Sequence, residues 1–294
     1  MSTPSSESWR VILFTDLVPF ARWYKEFLPA QGHRLVATVT SSKRADQFPY
    51  LDVVSTMQPE VDVLVSRHPR RWAAQLAPLR PDLIVATVFP HTLPPDLLAL
   101  PRLGAVNVHP TALPRYRGTD TPYWLLHNGE RETAVTLHRM AAQLDVGPLL
   151  AQVPIPIADD DGLEALLPKF FAAMGPVWMQ ALPRIAAGDP GDPQDESVAS
   201  YYGKIADERA WKTIDWAQAA RTVHNTVRGS AFARDLPPGA VGDLDGAPHR
   251  ITKTRLLPDS QGDGLPGSVV ARDGETLLVQ CGDGLLGVVG YEAI

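Results

Sequence analysis

The sequence has almost no cysteine and no long apolar run. Cys281 is the single cysteine among 294 residues, which excludes an intrachain disulfide and favours a reducing, cytoplasmic setting. Its neighbours, residues 277–280, are mostly apolar, so we expect a buried thiol that acts as a small apolar side chain. No stretch approaches the roughly 20 apolar residues that cross a bilayer. Residues 1–8 carry no basic segment followed by an apolar one, so we predict neither a membrane span nor a signal peptide.

Positive charge is also scarce. Lys and Arg number 27 against 33 Asp and Glu, for a net charge of −6, which argues against broad binding to DNA or RNA. Neither a Walker-type loop nor a Gly-x-Gly-x-x-Gly loop is present, so the common phosphate-binding motifs are missing. What remains is an ordinary globular composition, 45% apolar and 20% charged. It excludes a wholly disordered chain and fits one large domain or two smaller ones.

The first half of the chain alternates short β-branched runs with helical patterns, and many of the whole chain's 28 prolines lie between them. This alternation predicts an α/β fold with a Rossmann-like, mainly parallel sheet. A longer helical pattern follows at residues 163–185, and we expect Pro168, Pro176 and Pro183 to break it into pieces. The predicted strands are residues 11–14, 35–39, 61–65, 83–88, 105–109, 135–137 and 149–153, and the predicted early helices are 20–28 and 72–79.

The pattern changes after residues 186–197, where eight of twelve residues are Gly, Pro, Asp or Glu. We therefore predict a catalytic domain at 1–187, a linker at 188–203 and a second domain at 204–294. Residues 214–227 look helical, with Asp215 as a possible cap. Asp-Gly pairs at 245–246, 263–264, 273–274 and 283–284 favour hairpin turns, so the tail is predicted to be a smaller β-rich, barrel-like domain.

Three polar residues follow predicted strands in the first half. Ligands of parallel α/β sheets bind beyond the carboxyl ends of the strands. Asn107 and His109 lie two apart at such an end, so their side chains point the same way, and Asp145 lies in the loop at 141–147. An amide that stabilises an oxyanion, an imidazole that handles a proton and a carboxylate that orients it suit acyl-type chemistry. On spacing alone, a histidine at a strand end is more often structural than catalytic.

The longer motifs are more specific. Residues 107–118 read Asn-Val-His-Pro-Thr-Ala-Leu-Pro-Arg-Tyr-Arg-Gly, residues 133–140 read Thr-Ala-Val-Thr-Leu-His-Arg-Met, and residues 144–147 read Leu-Asp-Val-Gly. In this order they resemble the core of the folate-dependent formyltransferase family, and the resemblance covers about residues 11–153. In the tail, residues 204–205, 214–216 and 228–229 resemble the C-terminal domain of methionyl-tRNA formyltransferases and their relatives.

This resemblance implies transfer of a formyl group from 10-formyltetrahydrofolate to an amine through a tetrahedral intermediate, with no metal. It implies that Asn107 donates to the oxyanion, that His109 stabilises that charge or relays a proton, and that Asp145 holds His109 and assists proton movement. It also implies a pterin slot built largely from backbone groups of two loops, whose residues are Phe89, Pro90, His91, Thr92 and Leu93, and Ala141, Ala142, Gln143 and Leu144.

Several neighbouring residues have two interpretations. Tyr123 and Trp124 replace residues that are usually smaller or aliphatic in the tRNA enzymes, and they either stack on an acceptor or pack under the nearby loop. Thr136 either positions the Asp145 loop or is plain strand structure. The acidic run at 159–161 is interpreted as a solvated turn before a helix. Three further histidines near the motifs are interpreted as structural or solvent-facing: His91, His127 and His138.

The acceptor is the open question. A tRNA acceptor needs many phosphate contacts from Lys and Arg, yet residues 42–60 hold two basic residues, Lys43 and Arg44, against three acidic ones, and residues 204–294 hold 10 basic against 12 acidic. A patch at Arg67, Arg70 and Arg71 is the remaining basic candidate. We therefore expect a small-molecule amine, such as an amino sugar or an amino-acid derivative, and disfavour tRNA.

Other functions stay open as alternatives. The chain could be a methionyl-tRNA formyltransferase, or a hydrolase that releases formate from the same cosubstrate with water as the nucleophile. A binding protein that kept the fold without catalysis is disfavoured by the intact Asn107, His109 and Asp145. The sequence leaves the oligomeric state open.

Overall fold

The computed structural model describes residues 7–42, 50–68, 71–232 and 235–294. The predicted basic candidates Lys43, Arg44 and Arg70 lie outside these residues, as does Asp46, one of the three acidic residues counted at 42–60. The chain forms two compact units, the first from residues 1–117, 135–153 and 174–199 and the second from residues 118–134, 154–173 and 200–294. The predicted linker at 188–203 stays a prediction. In the described residues, no helix has both the length and the apolar character needed to cross a membrane.

The first unit is organised by a seven-stranded sheet. Its order is β3-β2-β1-β4-β5-β7-β8. Pairing is parallel from β3 through β5 and antiparallel between β5 and β7. The mainly parallel, Rossmann-like sheet is therefore confirmed. Its strands are β1 (Arg10–Phe14), β2 (Arg34–Thr40), β3 (Asp62–Val65), β4 (Leu83–Ala86), β5 (Ala105–His109), β7 (Glu132–Arg139) and β8 (Leu149–Pro156), while the short β6 is Arg117–Gly118.

Helices connect these strands. Strand β4 is wholly buried and has no polar side chain. A strand of this kind has both faces covered by packed elements. Beside it, Phe14 of β1 and Trp72 lie in one apolar cluster with Ile84. The helices are α1 (Val18–Ala30), α2 (Tyr50–Met57), α3 (Trp72–Leu76), α4 (Pro95–Leu98), α5 (Thr121–His127) and α6 (Leu163–Ala186).

The prediction that prolines break the helix at 163–185 is wrong, since α6 is one element of 24 residues. A proline inside a helix removes one hydrogen bond and costs about 3 kcal/mol. Against the three prolines of α6 stands a row of buried side chains that recurs at helical spacing, and each large one contributes roughly 1.5–3 kcal/mol on burial, so the row offsets the combined cost. The row comprises Leu166, Phe170, Met174, Val177, Trp178, Ala181 and Ile185.

The second unit contains a five-stranded antiparallel sheet in the order β10-β11-β14-β13-β12. This confirms the predicted β-rich tail. The prediction of a thiol buried in the apolar interior is also confirmed, since Cys281 is 1% exposed in the cluster beneath the sheet. The elements are β9 (Tyr201–Tyr202), α7 (Glu208–Trp211), α8 (Ala220–Gly229), β10 (Ala240–Leu244), β11 (Ala247–Leu256), β12 (Val269–Asp273), β13 (Thr276–Cys281) and β14 (Gly284–Ala293).

The hairpin turns follow the Asp-Gly pairs with one exception. Asp245 and Gly246 join β10 to β11, and both have positive φ, 50° and 80°, as a type I′ turn requires. The pairs at 273–274 and 283–284 lie at the next two turns. Residues 263–264 instead lie in the connection between β11 and β12, so that turn prediction is wrong.

The helix predicted at 214–227 begins later than expected. Helix α8 starts at Ala220. Ile214 instead donates its backbone N–H to Val241 in β10 at 2.7 Å. Asp215 accepts from the N–H of Ala217 at 3.0 Å, so it stabilises a turn before the helix rather than capping α8. The N–H of Ala220 is bound by Asp283 at 2.7 Å. Residues 214–219 therefore comprise a backbone contact with β10 followed by a turn. The spacing of apolar residues alone cannot distinguish such a segment from a helix.

Candidate active site

The antiparallel pair of β5 and β7 places four polar side chains on one face. Asn107 lies opposite His138, and His109 lies opposite Thr136. Side chains of directly opposed residues share a face, as do residues two apart on one strand. The predicted common orientation of Asn107 and His109 thus follows from β5, and β7 adds a second polar pair to it.

Asn107, His138 and Asp145 form a close group. The Asn107 Nδ2 lies 3.1 Å from His138 Nε2 and 3.5 Å from Asp145 Oδ1. The other ring nitrogen of His138, Nδ1, lies 2.8 Å from the carbonyl oxygen of Arg139 and can only donate there. In the neutral ring Nε2 must then accept, so it requires the amide nitrogen of Asn107 rather than its oxygen. His138 thereby fixes Asn107 as a donor.

His109 is held from two sides. Its Nε2 lies 2.8 Å from the carbonyl oxygen of Tyr116, so Nε2 carries the hydrogen. Its Nδ1 lies 3.7 Å from Asp145 Oδ2, beyond ordinary hydrogen-bond length. Burial lowers the pKa of His109, while the Asp145 carboxylate acts in the opposite direction. The ring is therefore neutral near pH 7, with a carboxylate in position to stabilise it when it gains a proton.

The backbone of the Asp145 loop has one residue with positive φ and one close approach to β7. Asp145 has a φ of +57°, a conformation that non-glycine residues adopt at a cost. Two residues on, Gly147 lies against β7 so closely that a Cβ would be 1.8 Å from the carbonyl oxygen of Arg139. Glycine at 147 is therefore a steric requirement, and it brings Asp145 onto the polar face of β7.

Thr136 contacts the loop that follows His109. Its hydroxyl donates to the carbonyl oxygen of Thr111 at 2.6 Å, and it accepts from Gln152 of β8 at 2.8 Å. Gln152 also donates to the carbonyl of Leu113 at 3.1 Å. Thr136 and Gln152 therefore fix the loop that follows His109, rather than the Asp145 loop.

The loop after β4, predicted for the pterin slot, packs partly on the apolar cluster. Leu93 is 1% exposed, which makes its side chain core rather than surface. Phe89 is half-buried, with its ring 5.2 Å from Phe14 and 5.5 Å from Trp72. His91 Nε2 lies 2.8 Å from the hydroxyl of Ser41, so His91 joins the ends of β2 and β4. Pro90 is half-buried and Thr92 is exposed.

The second predicted loop is more open. Ala142, Gln143 and Leu144 are exposed, with Leu144 at 45%, and Ala141 is half-buried. Half-buried Phe89 and exposed Leu144 offer the flat or apolar surfaces that a pterin ring requires, so the chemistry of the two loops fits the cosubstrate. Among the described residues, no group of three or more His, Cys, Asp or Glu is arranged to hold a metal ion.

Two interpretations made from the sequence change. His138 is 2% exposed and touches both Asn107 and Asp145, so the solvent-facing interpretation is wrong. A signal was present: Thr136-x-His138 repeats on β7 the polar spacing of Asn107-x-His109 on β5. Within the acidic run, Asp161 is 9% exposed and bound to Lys169, so that run is not a simple solvated turn.

In the second unit, the aromatic residues of α5 pack on other rings. The ring of Tyr123 lies 4.8 Å from Phe232, and that of Trp124 lies 4.4 Å from Trp211. His127 stacks on Trp211 at 4.1 Å. These contacts support the packing interpretation of Tyr123 and Trp124.

Comparison with solved structures identifies shared architecture. HypX from Aquifex aeolicus, in complex with tetrahydrofolic acid, is 20% identical with a TM-score of 0.66 over 98% of this chain and 44% of its own. The present chain thus spans less than half of HypX. An N-formyltransferase from Helicobacter canadensis, in complex with folinic acid and dTDP-3-aminofucose, is 15% identical with a TM-score of 0.69 over 97% of this chain and all of its own. A 4-N formyltransferase from Francisella tularensis is 16% identical, with a TM-score of 0.64 over 82% and 95% of the chains.

Family models give a more direct assignment than these distant structures, which at such identity establish the fold alone. The formyl transferase model matches residues 34–182, half of the chain. The model of the formyl transferase C-terminal domain matches residues 208–292. Both expected parts occur in the expected order, and the chain therefore belongs to the formyl transferase family.

Proposed function

We propose that this protein transfers a formyl group from 10-formyltetrahydrofolate to the amine of a small-molecule acceptor, using Asn107, His109 and Asp145. The observation that supports this most directly is that an amide donor and a neutral imidazole at the end of β5 both face one carboxylate, with Asn107 at 3.5 Å and His109 at 3.7 Å from Asp145. These are the groups that acyl transfer to an amine requires.

Asn107 is oriented to stabilise negative charge. One amide hydrogen is committed to His138 at 3.1 Å. The contact of the amide with Asp145, at 3.5 Å, is at the limit of a hydrogen bond. That weakly held hydrogen is the one Asn107 gives to the oxygen on which negative charge develops.

His109 and Asp145 handle the proton. A neutral His109 can take a proton at Nδ1, because Nε2 already donates to Tyr116. Nδ1 faces the Asp145 carboxylate, which stabilises the resulting imidazolium. His109 is thus suited to receive the proton that the attacking amine releases.

The cosubstrate supplies the activated formyl group. Of the predicted residues, Phe89 and the open loop at 141–144 suit the pterin ring best, whereas the side chain of Leu93 is buried away from it. Backbone groups of residues 89–93 and 141–144 remain the proposed polar contacts.

A small amine is the acceptor we favour over tRNA. Residues 204–294 hold 10 basic and 12 acidic residues, which opposes the many phosphate contacts that tRNA needs. The Helicobacter canadensis relative is in complex with an amino sugar linked to dTDP, so small amines suit the same architecture. Nucleotide-linked amino sugars are accordingly the first acceptors to test, followed by hydroxyornithine and related amines.

Mass spectrometry tests this proposal. The purified chain is incubated with 10-formyltetrahydrofolate and a mixture of amino sugars, nucleotide-linked amino sugars and amino-acid amines, and with methionyl-tRNA in parallel. We expect one small amine to gain the mass of a formyl group, and Asn107→Ala to lower that rate about 10²–10³-fold. Formylation of methionyl-tRNA alone would replace the proposed acceptor. Formate release at an undiminished rate without any amine would establish the hydrolase alternative instead.

A further inference from the structure

A buried arginine lies beside the proposed catalytic group in the first unit. Arg117 follows Tyr116, the residue whose carbonyl binds His109, and its side chain is 0% exposed. The guanidinium donates from Nε and Nη2 to Gln194 Oε1 at 3.0 and 2.7 Å. It also contacts the carboxylate of Glu196 at 2.9 and 2.7 Å. A buried guanidinium needs such saturation, so residues 194–196 are anchored at the loop after β5.

Gln194 extends this anchor to the Asp145 loop. With its oxygen bound to Arg117, the amide must present its nitrogen on the other side. That nitrogen donates to the carbonyl oxygen of Asp145 at 2.8 Å and to that of Gly147 at 2.7 Å. Both amide hydrogens and the amide oxygen therefore have partners, which fixes the side chain in one orientation.

The backbone bound by Gln194 is the strained one. Asp145 and Tyr116 both have positive φ, +57° and +60°, and neither is glycine. Such conformations persist only where the surroundings hold them in place. Tyr116 is adjacent to Arg117 and binds His109, while Asp145 is bound by Gln194. The Arg117–Gln194 pair thus connects the two strained residues that orient the imidazole and the carboxylate.

We propose that Gln194 is a positioning residue for the proposed formyl transfer, holding the Asp145 carboxylate toward His109 and Asn107 through the Asp145 and Gly147 carbonyls. The inference rests on the proposed function for its kinetic consequence. Gln194 touches the backbone of the loop rather than its carboxylate, so its effect is on the orientation of Asp145. Gln194 could instead have a purely structural role, in which it only anchors residues 194–196 to Arg117. In that case a variant that keeps the Arg117 contact but loses the two carbonyl contacts would keep its activity.

Two variants separate those ends. Gln194→Glu keeps an oxygen that can accept from Arg117 but places a carboxylate against two carbonyl oxygens. Gln194→Met has a side chain of similar length that makes neither the Arg117 contact nor the carbonyl contacts. We expect both to lower kcat about 10–100-fold with KM for the acceptor within about twofold, since a carboxylate misplaced by even 1 Å is costly. Glu196→Gln is the matched control, because Glu196 contacts the same Arg117 and is 69% exposed; its kcat should stay within about twofold.

A second measurement does not depend on turnover. The groups facing His109 are Asp145, His138 and the Tyr116 carbonyl. Because Asp145 acts to raise the pKa of His109, loosening it should lower that pKa further. NMR titration of the imidazoles in the full chain should therefore give His109 a lower pKa in Gln194→Met, a neutral change, than in the parent and in Glu196→Gln.

The outcomes distinguish the two proposals. If Gln194→Glu and Gln194→Met both retain kcat within twofold and the His109 pKa is unchanged in Gln194→Met, the positioning role is overturned while the formyl transfer stands. If the parent chain formylates no amine but the His109 pKa falls in Gln194→Met, the proposed function is wrong and the coupling through Gln194 stands. Thermal unfolding of each variant confirms that it is folded.

Discussion

Two buried histidines, one in each unit, show how the two regions use polar groups. His224 of α8 has both ring nitrogens in short contacts, 2.8 Å to the hydroxyl of Thr254 and 2.7 Å to the carbonyl of Asp159. His109 has one short contact, to Tyr116, and a 3.7 Å contact to Asp145. Burial lowers the pKa of both rings. Similar burial therefore accompanies different bonding, and only His109 keeps a nitrogen without a close protein partner.

The same contrast holds for buried charges. In the second unit Lys212 is 1% exposed, lies 2.7 Å from Glu208 Oε1, and donates to the carbonyls of Phe232 and Pro237 at 2.5 and 2.9 Å. The Asp145 carboxylate meets both His109 and His138 at 3.6–3.7 Å. Short, direct contacts hold a buried charge in place, whereas an imidazole beside a carboxylate, as at His109, can gain a proton that the carboxylate stabilises. The difference lies in bond lengths, which no residue count reveals.

The largest expected effect tests this contrast at the two histidines. His109→Gln should lower kcat for the proposed formyl transfer about 10²–10⁴-fold, because it removes the group that we propose accepts the proton. His224→Gln should leave kcat within about threefold, since its bonds are structural. Steady-state kinetics with the acceptor identified by mass spectrometry measures both. Equal losses in the two variants would break the comparison.

Next in size is the buried lysine. Lys212→Met should destabilise the chain by about 3–5 kcal/mol, because it leaves the largely buried Glu208 carboxylate without its ion pair. Chemical denaturation measures the free energy of unfolding. For protein that remains folded at low temperature, kcat should be near that of the parent. The pair of half-buried Lys25 and exposed Glu60, at 26% and 63% exposure, provides a control, since Lys25→Met there should cost at most about 1 kcal/mol.

The smallest effect is on the acid sensitivity of folding. A histidine whose pKa is lower in the folded than in the unfolded chain binds fewer protons when folded, so stability is lost as the pH falls below the unfolded value of about 6.5. Both His109 and His224 have lowered pKa values. Each Gln variant should therefore lose less stability than the parent between pH 7 and pH 5, as measured by urea unfolding. A steeper loss in either variant would contradict the assigned direction.

Much of the fold could be predicted because its signals are local. A few consecutive residues are enough to predict a buried strand such as β4 from its unbroken apolar run, or a hairpin turn such as 245–246 from its Asp-Gly pair. The common face of Asn107 and His109 follows from the period of a strand. The place of Asp145 beside them came from the resemblance of the motifs, since nothing in a 38-residue separation fixes a distance.

The remainder depended on long-range pairing. The place of His138 is set by the register of β7 against β5, which single-strand periodicity leaves undetermined. Gln194 lies in a segment whose composition indicates a linker, and its two carbonyl partners are 47 and 49 residues away. Helix α6 stays whole despite its prolines because of its buried row of side chains, an effect of tertiary packing that overrides local preference.

The antiparallel pairing of β5 with β7 has a consequence for protein engineering. Because Asn107 faces His138 and His109 faces Thr136, a one-residue deletion within β7 would turn the side chains on one side of the deletion to the opposite face. Substitution libraries can therefore explore each of these positions separately, whereas a length change in β7 moves several side chains at once. For transplantation into another scaffold, the smallest unit to move is the β5–β7 ladder with the loop that carries Asp145 and the glutamine that holds it.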